Sequence, residues 1–123
     1  MAGADRPRRV SAAAAPYEHV VGASGGDLPT EGILSRTVTK RDGVRVTWFG
    51  FAAGEEMSEH TASRPALLHV LRGRVRMTLG DQTAELGAGD FLRMEARLRH
   101  SLAAVEPVEF LLTLLPPVAE PVD

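Results

Sequence analysis

A chain of 123 residues has room for one compact domain, which hides roughly two-thirds of its unfolded surface, but not for a second core. Hydrophobic residues at 44% and charged residues at 24% match a folded globular protein and exclude intrinsic disorder. A net charge of −2 with dispersed basic residues excludes the electrostatic footprint of a nucleic-acid binder, and the absence of cysteine excludes disulfides, thiolate metal sites and cysteine nucleophiles.

The opening "MAGADRPRRVSAAAAP", residues 1–16, reads as a flexible tail. It carries arginines but lacks the apolar stretch of about 7 residues that an export signal needs. No segment reaches the roughly 18 apolar residues of a membrane span, so neither membrane nor nucleic acid is an expected partner and a cytoplasmic location is expected. Residues 17–117 form the domain and 118–123 a C-terminal tail. Its first part, Tyr17 to Gly32, is rich in glycine and turn formers and predicts an irregular lead-in with at most one short edge strand. His19 lies in this lead-in and is expected in solvent.

Patterned sequence begins at Ile33. "ILSRTVTK" and "VRVTWFGFA" are β-branched and aromatic runs separated by "RDG", where Asp42-Gly43 supplies the positive φ of a tight hairpin turn. The series continues with "ALLHVLR", Gly73, "VRMTL", "GDQ", "TAEL", the turn "GAGD", "FLRM", a loop, "HSLAAV" and "VEFLLTLL", which is closed by Pro116-Pro117. In "RGRVRMTL" alternation places Val75, Met77 and Leu79 on one face and Arg74, Arg76 and Thr78 on the other, a strand wet on one side. "FLLTLL" is nearly continuous and predicts a strand covered on both faces. About eight short strands punctuated by glycine turns, with no helical period, predict an all-β sandwich or barrel.

Between the second and third runs lies "GEEMSEHTASRP", and from there the spacing resembles the cupin superfamily, whose first motif is G(X)5HXH(X)3,4E(X)6G. Gly54, His60, Ala62, Ala66 and Gly73 reproduce every interval, with alanine at two of the three ligand positions. The second motif, G(X)5PXG(X)2H(X)3N, falls on Gly89, Glu95, Arg97, His100 and Ala104, with only the glycine and the histidine matching. The resemblance covers about Val44 to Leu115 and implies a jelly-roll barrel. It also implies a metal held inside by two histidines and a carboxylate from the first motif and a histidine from the second, serving oxygenation, isomerisation or decarboxylation. Of that set only His60 and His100 transfer.

Two imidazoles alone bind a divalent ion weakly, because catalytic zinc uses three protein ligands plus water and non-haem iron two histidines plus a carboxylate. The pair remains the candidate site for one divalent ion (zinc, iron, manganese or nickel) completed by water or substrate, or for metal-free acid–base work. Glu59 neighbours His60 and points to the opposite face of an extended strand; Glu56 and Glu95 reach inward only with local distortion. Even spacing from His60 places His69 on the outer face.

The same spacing predicts a pocket lined by Ser58, Ala62, Ala66, Leu68, Val70, Val75, Met77, Leu92, Met94 and Leu102, with one of Trp48 and Phe49 facing in. Ala62 and Ala66 enlarge this cavity and make it apolar, which favours a small organic ligand. Arg64, Arg97 and Arg99 flank the motifs, where they can steer an anion. The expected protein is a stand-alone barrel binding a small molecule. A metal-dependent oxygenase, isomerase or cyclase and a ligand-sensing regulatory module are the alternatives. A homodimer is expected, because the open edge at "ILSRTVTK" calls for a partner.

Overall fold

The computed structural model describes residues 16–118. The tails expected over 1–16 and 118–123 lie outside it except for Pro16 and Val118. Nine strands, and no helix, form among the described residues: β1 (Ile33–Arg41), β2 (Val44–Phe51), β3 (Glu56–His60), β4 (Ala66–Arg72), β5 (Arg74–Leu79), β6 (Gln82–Gly87), β7 (Phe91–Met94), β8 (His100–Ala104) and β9 (Val108–Leu114). They pair antiparallel in two sheets, ordered β1-β2-β9-β4-β7 and β3-β8-β5-β6, which face each other as a jelly-roll barrel.

Local chemistry explains the turns. Asp42 and Gly43 carry φ of 52° and 81°, the mirror-image turn that matches the right-handed twist of β1 and β2. Gly73 joins β4 to β5 at φ 83°, and a Cβ there would lie 1.9 Å from the Pro107 carbonyl oxygen. That backbone crossing admits only glycine.

Alternation then fills the interior. Val75 and Met77 are fully buried while Arg74, Arg76 and Thr78 are exposed, the one-sided wetness expected of β5. Phe49 stacks on Phe110 at 5.2 Å, Phe51 lies 5.5 Å from Phe110, and Leu68, Val70, Leu86, Met94, Leu102 and Val108 pack around them. A ring deleted from such a core costs about 3–5 kcal/mol.

Strand β9 is the centre of its sheet and is buried on both faces from Val108 to Phe110, but its outer face is not apolar there. Glu109, 1% exposed, projects outward and accepts hydrogen bonds from the indole Nε1 of Trp48 (2.7 Å), Nε of Arg72 (2.6 Å) and the backbone N–H of Gly25 (2.6 Å). Burial by itself raises this carboxyl's pKa; the bonds from Gly25, Trp48 and Arg72, with the charge of Arg72, outweigh it and hold the group below its ordinary range. Arg72 also donates to the Gly26 carbonyl, and Arg36 lies 4.4 Å over the Trp48 ring while donating to Gly22 O at 3.1 Å. The lead-in therefore forms no strand but is clasped across the outer face, which is why Trp48 is buried without entering the barrel.

Candidate functional site

The interior site is built from both sheets. The five-stranded sheet supplies an apolar floor, because Leu114, Ala66 and Met94 are direct partners across β9, β4 and β7 and Leu112, Leu68 and Leu92 form the next row. The four-stranded sheet supplies the polar groups. On β3 and β8, His60 pairs directly with His100, and their rings meet edge to face with centroids 4.3 Å apart.

A register shift between Met57 and His60 sets this geometry. Met57 pairs with Leu102 and His60 with His100, so β3 spends three steps where β8 spends two, and Met57 and His60 share the inner face. The even-spacing argument that placed Ser58 inside is thereby corrected. Ser58 is exposed, and Met57 takes its place on the wall. The same shift turns Glu56, the partner of Ala103, outward with exposed surface, away from the histidines.

Each imidazole is oriented by its own strand. Nδ1 of His60 lies 2.8 Å from the Ser58 carbonyl oxygen, and Nδ1 of His100 lies 2.8 Å from that of Leu98. A carbonyl only accepts, so Nδ1 carries a proton in both rings, and in the neutral form of an imidazole so held Nε2 is the lone-pair acceptor.

The pair stands at the neck between two cavities. The inner one, about 30 Å³, is lined by Phe49, Met57, Leu68, Met77, Met94, Leu102, Phe110 and Leu112 with the two histidines. The outer one, about 160 Å³, is lined by Ala62, Arg64, Ala66, Met94, Glu95, Leu112 and Leu114, again with both histidines. Seven residues expected on the wall stand there: Ala62, Ala66, Leu68, Met77 and Met94 with Leu102 and, of the aromatic pair, Phe49. Val70 and Val75 are core residues at 0% exposure, and Leu92 is half-buried against the core; none of the three lines either of these two cavities. Met57, Phe110, Leu112 and Leu114 escaped the sequence. The nearly continuous apolar run of β9 hid which of its residues face in, although its two polar residues, Glu109 and Thr113, share the outer parity.

The charged groups of the mouth are largely engaged. Arg64 donates from Nε to Leu115 O at 2.7 Å and from Nη2 to Gly43 O. Arg99 pairs with Glu59 at 3.1 Å and reaches Asp81 at 3.9 Å, and Arg93 pairs with Glu95 at 3.4 Å. Arg97 sits at φ 68°, the left-handed conformation that glycine favours, and its backbone N–H donates to Ala62 O at 2.7 Å, tying the two motif loops together. His69 lies on the outer face as expected, edge-on to Phe91 at 6.3 Å.

These residues do not fit a resident metal of the kind the motif spacing implies. No group of three or more His, Asp or Glu side chains converges among the described residues, and the two alanines leave the pair with no third ligand.

Comparison with known proteins agrees with this architecture. The profile of the cupin domain family matches residues 47–114, more than half of the chain. The chain belongs to the cupin family. No curated protein matches it. Among solved structures, this cupin resembles a conserved protein of unknown function from Streptococcus pyogenes, with 25% identity, a TM-score of 0.71, and 85% of this chain and 100% of that one covered. It also resembles a cupin superfamily protein from Desulfitobacterium hafniense, with 26% identity, a TM-score of 0.72 and coverage of 83% and 93%. An oxalate decarboxylase of Bacillus subtilis shares the fold at 22% identity and a TM-score of 0.64, over 76% of this chain and 28% of the enzyme. One barrel thus hosts different uses, and the activity of this cupin has to be argued from its site. Among the described residues no helix is long and apolar enough to cross a membrane.

Proposed function

We propose that this cupin binds a small organic molecule at the mouth of its barrel, against His60 and His100, in place of the metal centre that the family motifs imply. The observation that carries the reading is the pairing of two imidazoles, 4.3 Å apart, beside a cavity whose wall has Ala62 and Ala66 where ligands are expected. A volume of about 160 Å³ is comparable to an apolar cavity of ~150 Å³ that accommodates benzene. Mostly apolar walls with a few convergent polar groups are the usual make-up of a ligand site.

Metal analysis and native mass spectrometry of protein purified without a histidine tag test the proposal. A captured organic mass with sub-stoichiometric divalent metal is expected. A stoichiometric ion that disappears in the His60→Ala, His100→Ala double variant would instead establish a metal-dependent cupin. We propose further that the chain works as a homodimer, since β1 lies at the edge of its sheet with Ile33 and Leu34 exposed. Light scattering coupled to size exclusion measures that directly, and a monomer at micromolar concentration would refute it.

A further inference from the structure

We infer that the molecule taken by this site is a hydrogen-bond donor, a compound bearing a hydroxyl or amino group on an apolar body about the size of one benzene ring. The inference rests on the small-molecule reading above and specifies its ligand. It begins from the two Nδ1 contacts, 2.8 Å each, to carbonyls on the histidines' own strands. Both rings are held in one tautomer, and two Nε2 lone pairs are left at the neck of the cavities with no hydrogen to accept from the described residues.

The rest of the wall sharpens the preference. Ala62, Ala66, Met94, Leu112 and Leu114 offer no polar side-chain atom of comparable strength. The Glu95 carboxylate at the rim is another acceptor, and the Arg64 guanidinium already spends Nε and Nη2 on the carbonyls of Leu115 and Gly43. At the two imidazoles and Glu95 an anionic or acceptor-only ligand meets lone pairs with lone pairs, and only the remaining N–H groups of Arg64 offer it a donor, while a hydroxyl or amino hydrogen satisfies the imidazoles. The outer cavity, about 160 Å³, admits a single ring. An amino group, with two hydrogens to give, can serve both imidazoles at once; a hydroxyl serves one.

Four probes of one ring size separate the possibilities: phenol, anisole, toluene and benzoate, titrated into the full-length protein by calorimetry with methionine-methyl NMR to locate binding. Phenol is expected to bind about tenfold more tightly than anisole or toluene, the value of one well-made hydrogen bond, and benzoate most weakly. His60→Phe, which keeps a ring but removes an acceptor, is expected to reduce the advantage of phenol toward the toluene level. Imidazole ¹⁵N spectra of the unaltered protein give an independent readout. Nε2 of both rings should be of the unprotonated type and should shift on phenol addition. Protonated Nε2 atoms, or benzoate as the tightest probe, would overturn the inference. Equal binding of phenol and toluene would overturn it while leaving the small-molecule pocket standing. Failure of all four to bind would overturn both.

Discussion

His60 and Glu109 are both ionisable and both sit on strands, yet their surroundings are opposites. Glu109, on the outer face of the five-stranded sheet, is buried and its carboxylate is saturated by Gly25, Trp48 and Arg72. His60, at the mouth, is exposed, and one nitrogen is bound to its own strand while the other has no hydrogen to accept from the described residues. A saturated buried charge fixes a piece of chain in place, whereas spare bonding capacity beside a cavity is what a ligand can use. The electrostatically conspicuous residue of this protein is therefore a structural one, and the chemically available residues are the less conspicuous pair.

Several substitutions probe the contrast. The largest change is expected in metal content. Ala62→His with Ala66→Glu rebuilds the four-ligand set of the motif around His60 and His100, and elemental analysis should find the double variant binding a divalent ion stoichiometrically where the parent does not. If the parent already binds as much, the mouth is no longer the open partner in the comparison.

Stability comes next. Removing the charged donor in Arg72→Leu leaves the buried Glu109 carboxylate undersupplied and should cost about 2–3 kcal/mol by urea unfolding. His60→Ala, a substitution at an exposed position, should stay within about 0.5 kcal/mol. Equal costs would erase the distinction between clasp and mouth. Trp48→Phe, which deletes one neutral donor to the same carboxylate, should cost about 1.5 kcal/mol.

Acid should act on the clasp in the same sense. The folded pKa of Glu109 is lowered from its ordinary 4.5, so its contribution to stability is fully present above that value and is lost as pH falls through the lowered folded value. Unfolding free energy measured from pH 6 downward should drop less in Glu109→Gln than in the parent. A change of the opposite sign is expected at Arg97, whose φ of 68° is strained for a side chain. Arg97→Gly should relieve that strain and raise stability by about 1 kcal/mol, and a loss on calorimetric melting would show that the arginine side chain outweighs it.

The linear pattern was sufficient for most of the fold. Strand limits at "ALLHVLR" and "FLRM", the Asp42-Gly43 hairpin and the one-sided β5 all follow from alternation and turn chemistry, which act over neighbouring residues. The motif spacing also led to the His60–His100 pairing across 40 positions, since both intervals sit in strands that the fold sets side by side. Its failures have one kind of cause. Counting by twos misplaced Ser58 because a bulge inserts a residue into β3, and a bulge answers to the partner strand as well as to its own sequence.

The clasp was invisible for a related reason. Nothing local in "ASGGD" or in "VEFLL" tells that Gly25 will meet Glu109, a contact 84 positions long that exists only once β9 is central and the lead-in has crossed it. The sequence by itself determined the barrel, the paired histidines and the missing ligands at Ala62 and Ala66, because these depend on residue type and short-range period. Tertiary structure alone decided which nitrogen each histidine leaves available, which residues of β9 face the cavity and where the charged residues are spent. Those are properties of partners brought together from distant parts of the chain, and the free energy that fixes them is released only when they meet.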